Sequence, residues 1–86
     1  MPRLSSFYGI VIYMYWSDHP PPHFHAEYGE HQALITIVDG SLFAGSLPPR
    51  ALRLVEEWRA LHLDELRAAW DRAVQREHPG TIDPLP

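Results

Sequence analysis

Apolar and polar positions alternate along the first half of the chain and recur at helical spacing along the second. Phe7 to Trp16 reads as a strand rich in β-branched and aromatic residues. Tyr8, Ile10, Ile12, Met14 and Trp16 share one face, and Phe7, Val11, Tyr13 and Tyr15 the other. Both faces are apolar enough for a central strand. The run Pro20-Pro21-Pro22 ends it, because three prolines remove three backbone donors and favour an extended connection. Residues 23–28 then alternate cleanly. Phe24, Ala26 and Tyr28 point one way, and His23, His25 and Glu27 the other.

Gly29-Glu30 suits a two-residue type II′ turn, with glycine supplying the positive φ. A strand over residues 31–38 follows. That turn pairs Tyr28 with His31, Ala26 with Ala33 and Phe24 with Ile35. On the opposite face it pairs Glu27 with Gln32, His25 with Leu34 and His23 with Thr36. Asp39-Gly40 is a strong type I′ signal. It returns residues 41–45 along the preceding strand, with Leu42 and Ala44 joining the core and Phe43 beside Thr36 on the histidine face.

Leu47-Pro48-Pro49 breaks the sheet and opens a helix, where proline is tolerated in the first turn. Ala51, Leu54, Val55, Trp58, Leu61 and His62 form one apolar stripe. The stripe shifts near His62, and Asp64 is a start signal for a second helix. That helix carries Leu66, Ala69, Trp70 and Ala73 inward and ends at His78-Pro79-Gly80. The tail packs through Ile82 and Leu85. The expected fold is a single α+β domain over residues 1–86. It has an antiparallel sheet of three to four strands (7–16, 23–28, 31–38, 41–45) and two helices (49–62, 64–77) on one sheet face.

Composition changes this picture little. An 86-residue chain with 45% hydrophobic and 21% charged residues is of ordinary globular make-up. A domain this small buries only roughly 60% of its unfolded surface, so its stability margin is thin. No apolar run is long enough for a bilayer span, and no secretory signal is evident. The absence of cysteine excludes disulfides and thiolate metal sites. Together these point to a cytoplasmic protein without a membrane span. The net charge is −4, and all seven basic residues are arginine. Nucleic acid is therefore a disfavoured partner.

Candidate chemistry gathers between Asp18 and Glu27. Residues two apart in a strand point the same way, roughly 6.6–6.8 Å apart, so His23 and His25 can lean onto one ion. His19 completes a candidate metal set of His19, His23 and His25, with Asp18 or Glu27 as alternative third ligands. Zinc, nickel or manganese would suit such nitrogen and oxygen donors. His23 or His25 could instead transfer protons near neutral pH, oriented by Glu27, as in a small nuclease or hydrolase. Asp18, Tyr13, Tyr15 and Phe43 are candidate substrate or partner contacts. A purely structural role for the histidines is the third reading. Outside this stretch, His31 is expected to close the hairpin, His62 to sit in the core or cap a helix, and Trp58 and Trp70 to be core.

The stretch Asp18-His19-Pro20-Pro21-Pro22-His23-Phe24-His25-Ala26, with Tyr28-Gly29 after it, resembles the central motif of the DUF4160 proteins. Phe7-Tyr8-Gly9-Ile10, Gly45-Ser46-Leu47-Pro48, Glu57-Trp58, His62 with Glu65-Leu66, Trp70 and the ending Ile82 to Leu85 are also similar. The resemblance covers nearly the whole chain. It implies a small bacterial protein of uncharacterised function, often encoded beside a small DUF2442-like protein. By gene neighbourhood it implies the protein-binding half of a toxin–antitoxin-like module, with that neighbour or a second copy of itself as partner.

Overall fold

A computed structural model describes residues 2–86. Five antiparallel strands follow one another in both sequence and space: β1 (Arg3–Phe7), β2 (Ile10–Tyr13), β3 (His23–Tyr28), β4 (His31–Thr36) and β5 (Leu42–Gly45). Two helices complete the chain, α1 (Pro49–Leu61) and α2 (Leu63–Val74). The expected α+β architecture holds, with one more strand than the alternation implied.

The added strand comes from a turn inside the expected strand 7–16. Phe7 pairs with Ile10, and Tyr8 and Gly9 between them have φ of +50° and +82°. Positive φ at both central positions is the type I′ geometry that suits the strand twist. Tyrosine is an uncommon residue there, and a left-handed backbone costs about 1–2 kcal/mol. The Tyr8 hydroxyl donates to the Pro86 carbonyl at 2.6 Å, which helps offset that cost. At Gly9 a β-carbon would meet the Tyr28 ring at 3.3 Å, a second reason for glycine.

The β3–β4 hairpin has the expected register at all six pairs, from Tyr28 with His31 to His23 with Thr36. Gly29 has φ +58° and Glu30 does not share the positive sign, as a type II′ turn requires. The next connection departs from expectation. Only Gly40 takes positive φ, the loop runs from Ile37 to Ser41, and Ile35 pairs with Leu42. A register shift then pairs Leu34 with Ala44. Leu42 and Ala44 are consequently exposed rather than core. Phe43 does lie on the histidine face, 5.1 Å from the His23 ring.

The loop is held from two sides. Buried Arg59 donates to the Ile37 carbonyl at 2.7 Å and forms a two-pronged pair with Glu56 at 2.8 and 2.6 Å. Asp39 accepts from the Thr36 hydroxyl and, at 3.0 Å, from the Ser41 amide. These donors, the Thr36 hydroxyl first, hold the Asp39 carboxyl down at about 2. Because the folded-state value is depressed, Asp39 stabilises the fold above its unfolded pKa of about 4. That contribution is lost as pH falls through about 2. The melting-temperature gap between the parent and Asp39→Asn is therefore expected to close between pH 4 and pH 2, and less markedly in high salt. A gap that stays constant across that range would contradict the assignment.

The core lies between the sheet and the helices. Ile10 and Ile12 of β2 with Met14 just after it, Phe24 and Ala26 of β3, and Ala33 and Ile35 of β4 with Ile37 just after it are all buried. From the helices come Ala51, Val55 and Trp58, then Leu66, Ala69, Trp70 and Ala73. The tail closes the β1 end: the Ile82 amide donates to the Leu4 carbonyl at 2.8 Å, and the Trp58 indole donates to the Asp83 carbonyl at 2.8 Å. No helix among the described residues is long and apolar enough to cross a membrane.

Candidate metal centre

The loop between β2 and β3 is fastened to the far end of the chain. Ser17 takes φ +54°, and its amide donates to the Ala73 carbonyl at 3.1 Å, at the end of α2. The Trp16 indole donates to the Glu77 carbonyl at 3.0 Å, and Arg76 reaches the Ser17 hydroxyl at 3.3 Å. From this anchor Asp18 turns toward the first residues of β3. Its Oδ1 accepts the His19 amide at 2.8 Å. Its Oδ2 lies 3.0 Å from His23 Nε2 and 3.1 Å from His25 Nε2.

His23 is only 2% exposed. Its ring sits 5.3 Å from Trp70, 5.1 Å from Phe43 and 5.2 Å from His25. His23, which alternation places on the face opposite Phe24 and Ala26, is nonetheless covered. α2 reaches the start of β3, and Trp70 covers His23 from a helix far along the chain. His25 is partly buried, with Tyr15 edge-on at 4.3 Å.

The tautomer of His23 follows from one contact. Nδ1 is 2.7 Å from the Pro21 carbonyl. A carbonyl only accepts, so Nδ1 carries the hydrogen and the neutral ring presents a lone pair at Nε2. That atom is buried without a hydrogen-bond partner among the described residues. Asp18 Oδ2 is close but off the line an N–H donor would need, whereas His25 Nε2 makes a well-formed bond to the same oxygen. Two lone-pair atoms 3.0 Å apart repel unless a cation lies between them. Bonds of about 2.0–2.1 Å to one metal ion, meeting at about 90–110°, would separate the ligand atoms by about 2.9–3.4 Å and leave neither lone pair aimed at the other. The Pro21 contact is also the usual second bond of a metal-ligating imidazole, which fixes ring and tautomer.

One ligand atom from each of Asp18, His23 and His25 lies within 4.8 Å of the others. Of the alternative third ligands, Asp18 is therefore the one brought in. His19, expected in the metal set, projects from the loop with its side chain exposed and is not in this cluster. Glu27 is two residues beyond His25 and pairs with Val11 and Gln32 instead. It lines a cavity of about 90 Å³ with Tyr13, Tyr15, His25 and Gln32. Phe43 touches His23 but is 44% exposed on its other side.

Burial alone would raise the Asp18 carboxyl. The His25 hydrogen bond, the His19 amide and the neighbouring imidazoles outweigh it and hold the group below its ordinary value. Asp18 is thus a carboxylate ready to ligate. Sequence reasoning missed Trp70 as the cover of the site, and no local signal could have placed it there. His62 lies apart from the site, pairing through Nδ1 with Glu65 at 2.6 Å, and His78 accepts the Gly80 amide at 2.9 Å.

A sequence profile for DUF4160, a domain of unknown function, matches residues 9–71. The chain belongs to the DUF4160 family. The matched span runs from the Tyr8-Gly9 turn to near the end of α2, and so contains Asp18, His23, His25 and their cover Trp70. No curated protein and no solved structure matches this DUF4160 domain.

Proposed function

We propose that this DUF4160 domain binds a divalent transition-metal ion through Asp18 Oδ2, His23 Nε2 and, once its hydrogen has moved to Nδ1, His25 Nε2. The observation that carries the reading is the buried, unpartnered Nε2 of His23, 3.0 Å from a carboxylate oxygen. Two imidazoles and one carboxylate favour zinc, with nickel or manganese as the other donors' match. Three protein ligands leave a position for water, the pattern of hydrolytic zinc sites. If the domain is a hydrolase, that is its reaction centre, and Glu27 is the nearest further carboxylate along the strand.

Protein purified without a polyhistidine tag is expected to carry or take up one equivalent of metal. After chelation, zinc at 100 times its dissociation constant should stabilise the fold by about 2.7 kcal/mol. No stoichiometric uptake, together with no thermal shift from zinc, nickel or manganese, would overturn the proposal.

A second reading is favoured by a separate observation. All four residues of edge strand β5 are exposed, including Leu42 and Phe43. The ten residues from Gly40 to Pro49 carry no charge. Charges on an edge normally deter pairing with other chains. A bare edge suits the protein-binding half of a two-gene, toxin–antitoxin-like module, with a small neighbouring protein as partner.

A further inference from the structure

Beside β5 the sheet and α1 diverge. The gap is a groove of about 370 Å³, lined by Ile35, Leu42, Leu52, Val55, Asp39 and Glu56. Its floor is apolar and its rim carries two carboxylates. One of these, Glu56, is shared with Arg59. Asp39 is exposed and forms no ion pair among the described residues, although the Arg59 guanidinium lies near enough to act on it. Two carboxylates thus share one cation, and the local balance is one net negative charge. On its other side β5 pairs with β4, and no strand among the described residues lies against its outer edge. The groove therefore sits under the place a further strand would occupy.

We propose that this groove takes an extended segment of a partner protein, added to β5 as a sixth strand. An apolar side chain of the segment fills the floor, and an arginine or lysine two residues away reaches the rim. The spacing follows from strand geometry, since residues two apart share a face. Backbone pairing supplies affinity and the side-chain positions supply specificity, as in other strand-addition sites. This inference rests on the partner reading above and is independent of the metal centre.

A second copy of the chain fits less well. Four residues of strand span about 13 Å, and a stable dimer needs about 800 Å² from each partner. A second copy's Leu42–Gly45 would also bring no cation to the rim.

The test uses the full chain and the synthetic peptide acetyl-Thr-Arg-Thr-Leu-Thr-Arg-Thr-amide, which offers a cation two residues from leucine in either direction. Amide NMR shifts are expected to be confined to Ile35, residues 39–45, Leu52, Val55 and Glu56. Exchanging both peptide arginines for glutamate should weaken binding at least about tenfold, as attraction at two exposed positions becomes repulsion. Leu42→Glu in the protein should abolish binding, while Leu61→Glu, on an exposed position of α1, should not, with circular dichroism confirming that both fold. The proposal is overturned by absent shifts at millimolar peptide, by shifts elsewhere, by equal binding of the glutamate peptide, or by a peptide-independent dimer that protects the β5 amides. A neighbouring gene product that binds without perturbing these amides removes the groove and leaves the partner reading standing.

Discussion

Asp18→Asn is expected to weaken zinc binding at least about 100-fold and to destabilise the metal-free protein by about 1 kcal/mol. The first effect follows from losing the anionic ligand. Even outer partners of a metal site are worth about 10–100-fold in affinity. The second follows from the two bonds that the carboxylate accepts, the His19 amide at Oδ1 and His25 at Oδ2. Asparagine has one oxygen, so one of the two donors loses its acceptor. Calorimetry of metal-free protein and zinc titration of both proteins check the two halves separately. An Asp18→Asn chain that takes up zinc with the parent's affinity would contradict the assignment.

Trp58→Ala is expected to cost about 3–5 kcal/mol, the range for deleting a buried tryptophan. A domain of this size has about 4–13 kcal/mol of total stability, so the variant should lose a large share of it and, at the low end of that range, be largely unfolded. Trp58 is fully buried where the sheet, α1 and the C-terminal tail meet. Its ring packs 5.4 Å from Phe7 and edge-on 5.8 Å from Phe24, and its indole nitrogen holds the tail at Asp83. Deletion leaves a cavity and also frees the segment that closes β1. Trp58→Phe keeps much of the volume and loses the tail contact, so it should cost roughly half as much. Urea denaturation of the three proteins checks the order. An alanine variant within about 1 kcal/mol of the parent would mean that the core collapses around the gap.

Much of the candidate site was legible before any coordinates. His23, His25 and Glu27 do share the strand face that period-2 alternation assigns them, and Phe43 does lie beside His23. Asp18 stood as one of several third ligands. The choice among them depends on where the proline loop is tied, and that tie is to Ala73, more than fifty residues away. The burial of His23 was illegible for the same reason. A strand pattern says which face a side chain is on but not what covers that face, and the cover is Trp70 on the last helix.

The sequence by itself determined the α+β order, the pair-by-pair register of β3 with β4, the inner face of α2, that of α1 except for Leu61, which lies exposed at its end, and the interior place of Trp58 and Trp70. Each of these rests on short-range rules: side-chain period, turn chemistry and the spacing of apolar residues. Only the tertiary structure decided that Tyr8 and Gly9 turn the chain, that Leu42 and Ala44 stay exposed, and that Asp18 rather than His19 meets the two histidines. Those outcomes depend on contacts between segments far apart in the chain: Tyr8 with Pro86, the β4–β5 loop with Arg59, and the Ser17 loop with the end of α2. Local preference is weak at Tyr8 and Ser17 and is overridden at Asp39-Gly40, so the distant partner sets the conformation.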